Sequence, residues 1–254
     1  MKIVSWNVNG LRSVINKGFD DYLQQLNPDI LCIQETRMSL DAPIPNLPTH
    51  SDYSAVFASS HRPGHSGVAI YTKSKPTTIA PVDIHLPRFS RDGRSLLVQF
   101  DDIAVLNLYM PHGGRDRRDM PFKLAAYDNL LAFLGDWSGP PLLITGDFNI
   151  ALDDIDLARP HRNRSNAMFS GPERTRLVKL LGCGYTDSYR FSHPDSAEYT
   201  WWPYAFQART RNVGWRIDYI FVPDTLRHDI ISARVHSEVF GSDHCPVSLI
   251  LRTK

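Results

Sequence analysis

Carboxylate, amide and imidazole side chains lie at the ends of several apolar, strand-like runs of the sequence. They are Asn7 and Asn9 after Ile3–Trp6, Glu35 after Ile30–Ile33, Asp147 and Asn149 after Leu142–Thr145, Asp218 inside Ile217–Val222, and Asp243 with His244 before Val247–Leu251. A buried carboxylate costs several kcal/mol unless it is paired or bound to a metal. One Asn or Asp at such a position is typical of a turn. Five such positions in one chain favour a functional site, provided that the side chains converge in space.

The oxygen-rich residues of this set could hold a divalent cation. Glu35 and Asp243, with Asn7 or Asn9 nearby, offer the hard oxygen ligands that Mg²⁺ prefers, and they leave coordination positions for water and phosphate. The chain has too few clustered Cys and His residues for a zinc site. The residue types therefore favour magnesium chemistry on a phosphate ester.

The remaining residues suit general acid–base catalysis. Asp147 could orient and deprotonate an attacking water, with the Asn149 amide holding the carboxylate in position. Asp218 could fix one tautomer of His244, whose imidazolium would stabilise charge in the transition state. Tyr109 ends another apolar run, and it either donates its hydroxyl to a phosphate oxygen or is an ordinary core tyrosine.

Short β-like runs that alternate with amphipathic stretches must position these side chains. Besides the runs above, strands are predicted at Gly67–Thr72, Leu96–Phe100 and Ile103–Tyr109, the last two forming a hairpin. Helices are predicted around Phe19–Leu26 and Leu124–Leu134 and from near Pro172, where Ser170 and Glu173 have capping-box spacing. Loops are predicted at Ala42–Pro48 and Arg159–Ser170. This order of elements predicts a layered α/β sandwich rather than a parallel barrel.

The composition is that of an ordinary globular protein, with 42% hydrophobic and 22% charged residues among 254. Apolar runs continue to Leu251 without a linker, which predicts a single domain over residues 1–254. The early strand, the lack of a long apolar run and three widely spaced cysteines predict a cytoplasmic protein without a signal segment, membrane span or disulfide. Because the net charge is +1, any surface that binds nucleic acid must be local.

Motifs spread over nearly the whole chain carry a family resemblance. They are SWNVNGLR (Ser5–Arg12), PDILCIQETR (Pro28–Arg37), HSGVAIYTK (His65–Lys73), NLYMP (Asn107–Pro111), LITGDFNIA (Leu143–Ala151), IDLARP (Ile155–Pro160), YTWW (Tyr199–Trp202), NVGWRIDY (Asn212–Tyr219) and GSDHCPV (Gly241–Val247). In this order they resemble the exonuclease III / apurinic–apyrimidinic endonuclease family of the endonuclease–exonuclease–phosphatase superfamily. The last two motifs resemble the abasic-endonuclease branch more than the lipid or inositol phosphatases.

The resemblance implies a four-layer sandwich, in which two mixed β-sheets pack face to face with helices on the outside. It implies a metal site of Glu35, Asp243 and Asn9 for Mg²⁺, with Mn²⁺ as a substitute, and a catalytic set of Asn7, Tyr109, Asp147, Asn149, Asp218 and His244. The implied reaction is a nick 5′ to an abasic site in double-stranded DNA, together with 3′→5′ exonuclease activity at 3′-end lesions. We expect a monomer that needs neither a protein partner nor a membrane.

Aromatic and basic residues outside the catalytic set are expected to bind DNA. Aromatic faces next to arginines suit an unstacked base or a flipped sugar, and the resemblance assigns Trp201, Trp215 and Ile217 to an abasic pocket. Trp202 and Tyr204 are expected in the core. The basic loop Arg159–Ser170 either binds phosphates or is a solvated face. The candidate DNA contacts are Arg37, Arg115, Asn163, Arg164, Asn166, Trp201, Arg209, Trp215 and Ile217.

Four residues depart from the family pattern. Asn9 stands where some relatives carry Asp, Arg37 replaces a common Lys, and His112 stands where Asn, Gln or Ser is usual. Met168 replaces the Gly expected before Phe169, where relatives have a tight turn. The Met168 departure leaves the local loop shape open.

The sequence leaves three functions open. A DNA repair nuclease agrees with the complete catalytic set. A phosphoesterase for a small or lipid substrate is allowed by the near-neutral charge, and a binding module without catalysis would have lost some of the catalytic residues, which are all present. Among DNA activities, abasic incision, exonuclease action and incision at damaged nucleotides depend on pocket depth and loop shape.

Overall fold

The computed structural model describes residues 1–40, 52–114 and 116–252, so the predicted loop at Ala42–Pro48 and the candidate residue Arg115 lie outside the described residues. The strands are β1 (Lys2–Asn7), β2 (Ile30–Gln34), β3 (Ser54–Ala58), β4 (Val68–Thr72), β5 (Thr78–Ala80), β6 (Ser95–Gln99), β7 (Ala104–Tyr109), β8 (Leu142–Asp147), β9 (Tyr185–Asp187), β10 (Asp218–Pro223), β11 (Ile230–Val235) and β12 (Val247–Leu251). The helices are α1 (Leu11–Ile15), α2 (Phe19–Leu26), α3 (Pro87–Arg91), α4 (Met120–Asp136), α5 (Pro160–Asn163), α6 (Gly171–Gly182) and α7 (Ser188–Ser192).

The strands form two mixed sheets of six strands each. One sheet has the order β11-β12-β1-β2-β4-β3, and the other has the order β5-β6-β7-β8-β10-β9. Each sheet has one parallel pair of strands near its centre, which is β1 with β2 in the first sheet and β7 with β8 in the second. All other neighbouring strands in both sheets are antiparallel. The predicted hairpin is confirmed as β6–β7, closed by a 2.8 Å bond from the Phe100 amide to the Ile103 carbonyl.

Apolar residues fill three spaces, which confirms the predicted four-layer sandwich. Along β1, Ile3 faces the core between the sheets and Val4 faces α2, because successive side chains of a strand point to opposite faces. Along β8, Leu143 faces the same central core, whereas Ile144 faces the outer layer that contains α4 and α6. Each sheet is therefore covered on its outer face by helices.

The helices begin and end near the predicted positions. The apolar face of α2 consists of Phe19, Leu23 and Leu26, and α6 begins with the predicted capping box of Ser170 and Glu173. The prediction that Arg159–Ser170 is entirely loop is wrong for its first part, because Pro160 occupies the first turn of α5, where its missing N–H is not needed.

Strand directions bring the polar residues of the sequence to one end of the sandwich. The carboxyl ends of β1, β2, β7 and β8 lie at this end, and so do the amino ends of the antiparallel strands β10 and β12, as the pairing of Asp218 with Asp147 requires. The two sheets are joined here by a buried 2.7 Å bond from Gln34 to Asn107. The polar side chains therefore converge in space, which is the condition on which the predicted functional site depends.

Candidate active site

Asn7 joins the carboxylates of the two sheets. Its buried Nδ2 donates to Glu35 Oε1 at 3.0 Å and to Asp147 Oδ2 at 2.9 Å. Because β1 and β8 belong to opposite sheets, this amide fixes the distance between them at the catalytic end. Glu35 and Asp147 consequently face one shared space.

The turn after β8 holds Asp147 in a fixed orientation. The Asn149 backbone N–H donates to Asp147 Oδ1 at 2.8 Å, and Asn149 Nδ2 donates to Asp147 Oδ2 at 3.2 Å and to the Met110 carbonyl at 2.9 Å. Burial, followed by the nearby Asp218 carboxylate, raises the pKa of Asp147 to about 7, although His244 opposes the shift. A carboxylate with this pKa can accept a proton near neutral pH.

His244 and Asp218 form a buried pair next to Asp147. His244 Nδ1 lies 2.9 Å from Asp218 Oδ2, and His244 Nε2 lies 3.9 Å from Asp147 Oδ2. Burial alone would lower the pKa of His244, but the Asp218 carboxylate and its hydrogen bond outweigh burial and raise this pKa to about 10. The imidazole is therefore positively charged at neutral pH and points its Nε2 toward the shared space.

Acidic groups at the site fit a hard cation. Glu35, Asp147 and His244 each offer one atom within 4.8 Å of the others, but a protonated His244 has no free lone pair for a metal. Asn9 Nδ2 donates to Asp243 Oδ1 at 2.8 Å, and the buried Asn9 Oδ1 has no hydrogen-bond partner within the described ranges. The available donors are oxygens, which Mg²⁺ prefers.

Asp243 lies outside the three-residue group. Its Oδ2 accepts a 3.1 Å hydrogen bond from the Trp201 indole, and its Oδ1 is the atom bound by Asn9. The structure thus brings Glu35 next to Asp147 and brings Asp243 next to Asn9, on adjacent parts of the same end of the sandwich.

Several site residues have left-handed backbone conformations, which L-residues adopt at a cost. The φ angles are 48° at Asn9, 51° at Glu35, 53° at Arg37 and 51° at Asn149. Hydrogen bonds hold two of these turns, from the Gly10 amide to the Glu35 carbonyl at 2.8 Å and from the Arg37 amide to the Ser66 carbonyl at 2.8 Å. The fold thereby holds the side chains of these residues in directions that an ordinary backbone conformation would not give them.

Tyr109 and Arg37 flank Glu35. Tyr109 ends β7 with its ring 4.8 Å from the Arg94 guanidinium, and burial, then the Glu35 carboxylate, raise its pKa well above the usual value. It therefore stays a neutral hydroxyl donor. The half-exposed Arg37 forms a 2.9 Å ion pair with Glu35, so its guanidinium lies at the edge of the candidate site.

A buried apolar cluster lies beside the imidazole. It consists of Ala151, Leu157, Met168, Phe169 and Ile217, with Trp201 and Trp215 packed against it. Backbone bridges join Trp201 both to Trp215 and to His244. The predicted grouping of Trp201, Trp215 and Ile217 next to the catalytic residues is therefore present in the structure.

The other DNA-binding candidates differ in their surroundings. Asn163 ends α5, and Arg164 and Asn166 follow it on the surface. Asn166 donates to Asn163 at 2.8 Å, and Arg164 pairs with Asp154 at 2.7 Å. Arg209 does not face this surface, because its guanidinium donates to the carbonyls of Ser237, Val239 and Ser242 and lies over the Trp202 ring. Its assignment as a DNA contact is therefore corrected to a structural one.

Arg216 and Tyr204 complete this segment. Arg216 is buried and forms internal ion pairs with Asp156 at 2.8 Å and with Asp187 at 2.7 Å. Trp202 is buried as expected, but Tyr204 is 72% exposed and its hydroxyl lies 3.4 Å from Asn9 Nδ2. The expectation of a core position for Tyr204 is wrong.

Sequence reasoning missed a buried ion pair beneath the catalytic turn. Lys123 Nζ donates to Glu173 Oε1 and to the Asn149 carbonyl, both at 2.6 Å, and both side chains are fully buried. A signal was available, because Lys123 lies on the apolar face of α4, one turn before Tyr127. The pair ties α4 and α6 to the turn that carries Asn149.

Comparisons with known proteins agree with this geometry. A model of the "Endonuclease/Exonuclease/phosphatase family" matches residues 4–244. An exodeoxyribonuclease of Bacillus subtilis is 37% identical over 254 residues, which is 99% of either chain. An AP endonuclease structure from Archaeoglobus fulgidus has a TM-score of 0.92 at 27% identity, and a 3′ phosphatase from Neisseria bound to product DNA has a TM-score of 0.90 at 30% identity, each covering both chains fully. No helix of the described residues is long and apolar enough to cross a membrane.

Proposed function

Because the chain belongs to the endonuclease/exonuclease/phosphatase family, we propose that it is a Mg²⁺-dependent DNA repair phosphodiesterase. It cleaves the backbone of double-stranded DNA 5′ to abasic sites and removes nucleotides or blocking groups from 3′ ends. The proposal places the enzyme in the cytoplasm, where a single catalytic domain of residues 1–254 acts as a monomer.

One observation carries this proposal: the buried Asp147 carboxylate and the His244 imidazole face one space, and His244 keeps its proton to a higher pH than Asp147 does. Asp147 has a pKa of about 7, and His244 has a pKa of about 10, for the reasons of burial and pairing given above. Two titratable groups whose environments separate their roles are typical of an acid–base pair. Their 3.9 Å separation leaves both within reach of one phosphate group and one water.

The residues have distinct roles in the proposed hydrolysis. Asp147, oriented by Asn149 and Asn7, accepts a proton from the attacking water. The His244 imidazolium, held by Asp218, donates a hydrogen bond to one phosphate oxygen, and the neutral Tyr109 hydroxyl donates a hydrogen bond to another. As the water oxygen bonds to phosphorus, the bond from phosphorus to the leaving 3′ oxygen breaks, and solvent water protonates that oxygen. Each group is already oriented, so little reorganisation accompanies the reaction.

Glu35, Asn9 and Asp243 would hold the metal. Their carboxylate and amide oxygens suit Mg²⁺, or Mn²⁺ in its place. The buried Asn9 Oδ1 has no hydrogen-bond partner among the described residues, which supports a cation next to this atom. Bound Mg²⁺ would neutralise phosphate charge and stabilise the charge that develops during cleavage. Arg37 supplies further positive charge next to Glu35.

Exposed residues around the site support DNA as the substrate. Tyr204 and Phe206 are 72% and 88% exposed on the turn that follows Trp202, so their rings are accessible to a ligand at the surface. Aromatic faces stack on nucleobases, and the Asn163–Asn166 surface adds hydrogen-bond donors for phosphates. These local features explain how a chain with a net charge of +1 can bind DNA.

The test uses a labelled duplex with one abasic-site analogue and its undamaged twin, each incubated with Mg²⁺ and with EDTA. We expect a nick 5′ to the analogue and shortening from the 3′ ends, both dependent on Mg²⁺. Cleavage that persists in EDTA would contradict the metal assignment. An absence of cleavage on both duplexes would contradict the proposed function.

A further inference from the structure

The segment between β11 and β12 carries two residues of the candidate active site. It covers residues 236–246, which lie outside the helices and the strands of the two sheets, and it includes Asp243 and His244. A buried backbone carbonyl needs a hydrogen-bond partner, and a loop has no regular ladder that supplies one. Side chains from other segments must therefore hold residues 236–246, which we call the Asp243 loop.

Arg209 makes three such contacts with one side chain. Its Nη2 donates to the carbonyls of Ser237 at 2.9 Å and Val239 at 2.5 Å, and its Nη1 donates to the Ser242 carbonyl at 3.1 Å. The guanidinium is planar and presents its N–H donors in a fixed geometry, so it can bind several carbonyls of one bend at once. Arg209 thus joins the start of the Asp243 loop to the residue that precedes Asp243.

Two aromatic rings hold the Arg209 guanidinium in place. Its central carbon lies 4.7 Å from the centroid of the Trp202 ring and 4.4 Å from the centroid of the Phe240 ring. Cation–π contacts of this length are favourable, and more so where water is excluded. Phe240 belongs to the Asp243 loop, and the Trp202 N–H donates to the Asp243 carbonyl at 3.0 Å. Arg209 therefore packs against the loop as well as donating hydrogen bonds to it.

The contact with Ser242 reaches Asp243 through one peptide bond. The Ser242 carbonyl and the Asp243 N–H belong to the same planar peptide unit, so a fixed carbonyl oxygen fixes the plane from which the Asp243 side chain extends. Ser242 Oγ also donates to the Asn7 carbonyl at 2.8 Å and accepts from the His244 N–H at 3.2 Å. A change at Arg209 would consequently be transmitted through the backbone to the Asp243 carboxylate.

We propose that Arg209 is a positioning residue, which holds Asp243 in the orientation that binding of the divalent cation requires. The inference rests on the proposed function, because Asp243 is one of the oxygen ligands proposed there for Mg²⁺. It assigns Arg209 an effect on metal affinity that acts through the backbone of the Asp243 loop.

The test measures the loop and the metal separately, in the full chain and without DNA. Hydrogen exchange of the metal-free protein, followed by mass spectrometry, reports how firmly residues 236–246 are held. Electron paramagnetic resonance of free Mn²⁺ during a titration gives the metal dissociation constant. The variant D243A, which lacks the proposed ligand, identifies the binding that belongs to this site.

Three variants of the neighbouring arginines are compared with the parent. R209M removes the charge and every donor, whereas R209K keeps the charge but lacks the planar fork. R211M is the matched control, because Arg211 is an exposed arginine two residues further along the same turn. Thermal unfolding identifies the variants that are folded.

We expect exchange of residues 236–246 in R209M to be at least about tenfold faster than in the parent, because three hydrogen bonds are lost. The Mn²⁺ dissociation constant of R209M should rise about 10- to 100-fold, the range typical of residues that orient a metal ligand. R209K should show smaller changes in the same directions, and R211M should match the parent in both measurements. Exchange in β8 should stay at the parent rate, since the change is local.

Three results for R209M would overturn the inference alone: a Mn²⁺ dissociation constant within about twofold of the parent, unchanged exchange in residues 236–246, or an equal increase in exchange in β8. If R209M does not fold, the same three criteria apply to R209K. Each result leaves the proposed function intact, because the parent still binds the metal. A parent that binds no Mn²⁺, or a D243A variant that binds it as tightly as the parent, would instead remove the proposed metal site, and the inference with it.

Discussion

Replacing Lys123 by Met tests whether the buried ion pair supports the catalytic turn. The ammonium donates to Glu173 Oε1 and the Asn149 carbonyl at 2.6 Å and to the His112 carbonyl at 3.3 Å, so all three of its hydrogens are used. Methionine has a similar length but no charge. The substitution leaves the Glu173 carboxylate buried without its counterion.

The expected loss is large because neither partner reaches solvent. Removing one member of a buried pair costs about 3–5 kcal/mol, and for a chain of this size each kcal/mol lowers Tm by about 2–4 °C. We therefore expect Tm to fall by about 6–20 °C. E173Q should cost a similar amount, since it leaves the buried ammonium without its counterion.

Urea unfolding of both single variants and of K123M/E173Q measures the coupling. The double variant should be more stable than the sum of the single losses predicts, by at least about 2 kcal/mol, because no uncompensated charge remains. The matched control is R88M, which removes the half-exposed Arg88–Asp119 pair and should cost less than about 1 kcal/mol.

Activity provides the second measurement. Under conditions where K123M is folded, kcat should fall more than KM rises, since Asn149 loses the donor to its carbonyl while the DNA-binding surface is unchanged. A K123M loss no larger than that of R88M, or additive single losses, would refute the proposed role of the pair.

Three further predictions concern two candidate catalytic residues, Asp147 and Asp218, and the strand β8 that carries Asp147. D147N should abolish turnover while DNA binding, measured by fluorescence anisotropy, is retained; unchanged turnover would exclude Asp147 as the base. D218N removes the carboxylate that raises the pKa of His244 to about 10, so the rate of this variant should fall as pH rises through the usual histidine value near 6.5. The parent rate should show no such fall up to about pH 9. Identical pH–rate profiles would contradict the pairing of His244 with Asp218. G146A should lower the free energy of unfolding, measured in urea, by at least about 2 kcal/mol. The φ angle of Gly146 is +135°, and a Cβ on this residue would lie 1.9 Å from the Leu108 carbonyl oxygen. An unchanged free energy of unfolding would mean that β7 and β8 can move apart at this position.

The sequence predicted the interior strands but not the edge strands. The eight predicted runs correspond to β1, β2, β4, β6, β7, β8, β10 and β12, and the missing β3, β5, β9 and β11 are the edges of the two sheets. An interior strand is apolar on both faces and reads as a continuous run. An edge strand such as β5 (Thr78–Ala80) is short and mostly exposed, so it has no such signal.

The grouping of the candidate catalytic residues was predictable because each lies at the end of an apolar run of the sequence. Asp147 and Asn149 lie in one turn, and strand direction brings this turn to Asn7, Glu35 and His244. The surroundings of the arginines were less predictable, since an arginine pairs with whichever carboxylates the fold brings near. Arg216 lies beside two aspartates from distant segments, and no local pattern distinguishes it from a phosphate-binding arginine.

Cleavage of the abasic duplex in H₂¹⁸O tests most directly whether this site activates water to hydrolyse a phosphodiester. With Mg²⁺, mass spectrometry of the cleaved strand should find one ¹⁸O in the newly formed terminal phosphate, and D147N should yield no labelled product. A cleaved product whose phosphate contains no ¹⁸O would contradict the account, since the bond would then have been broken without water attacking phosphorus.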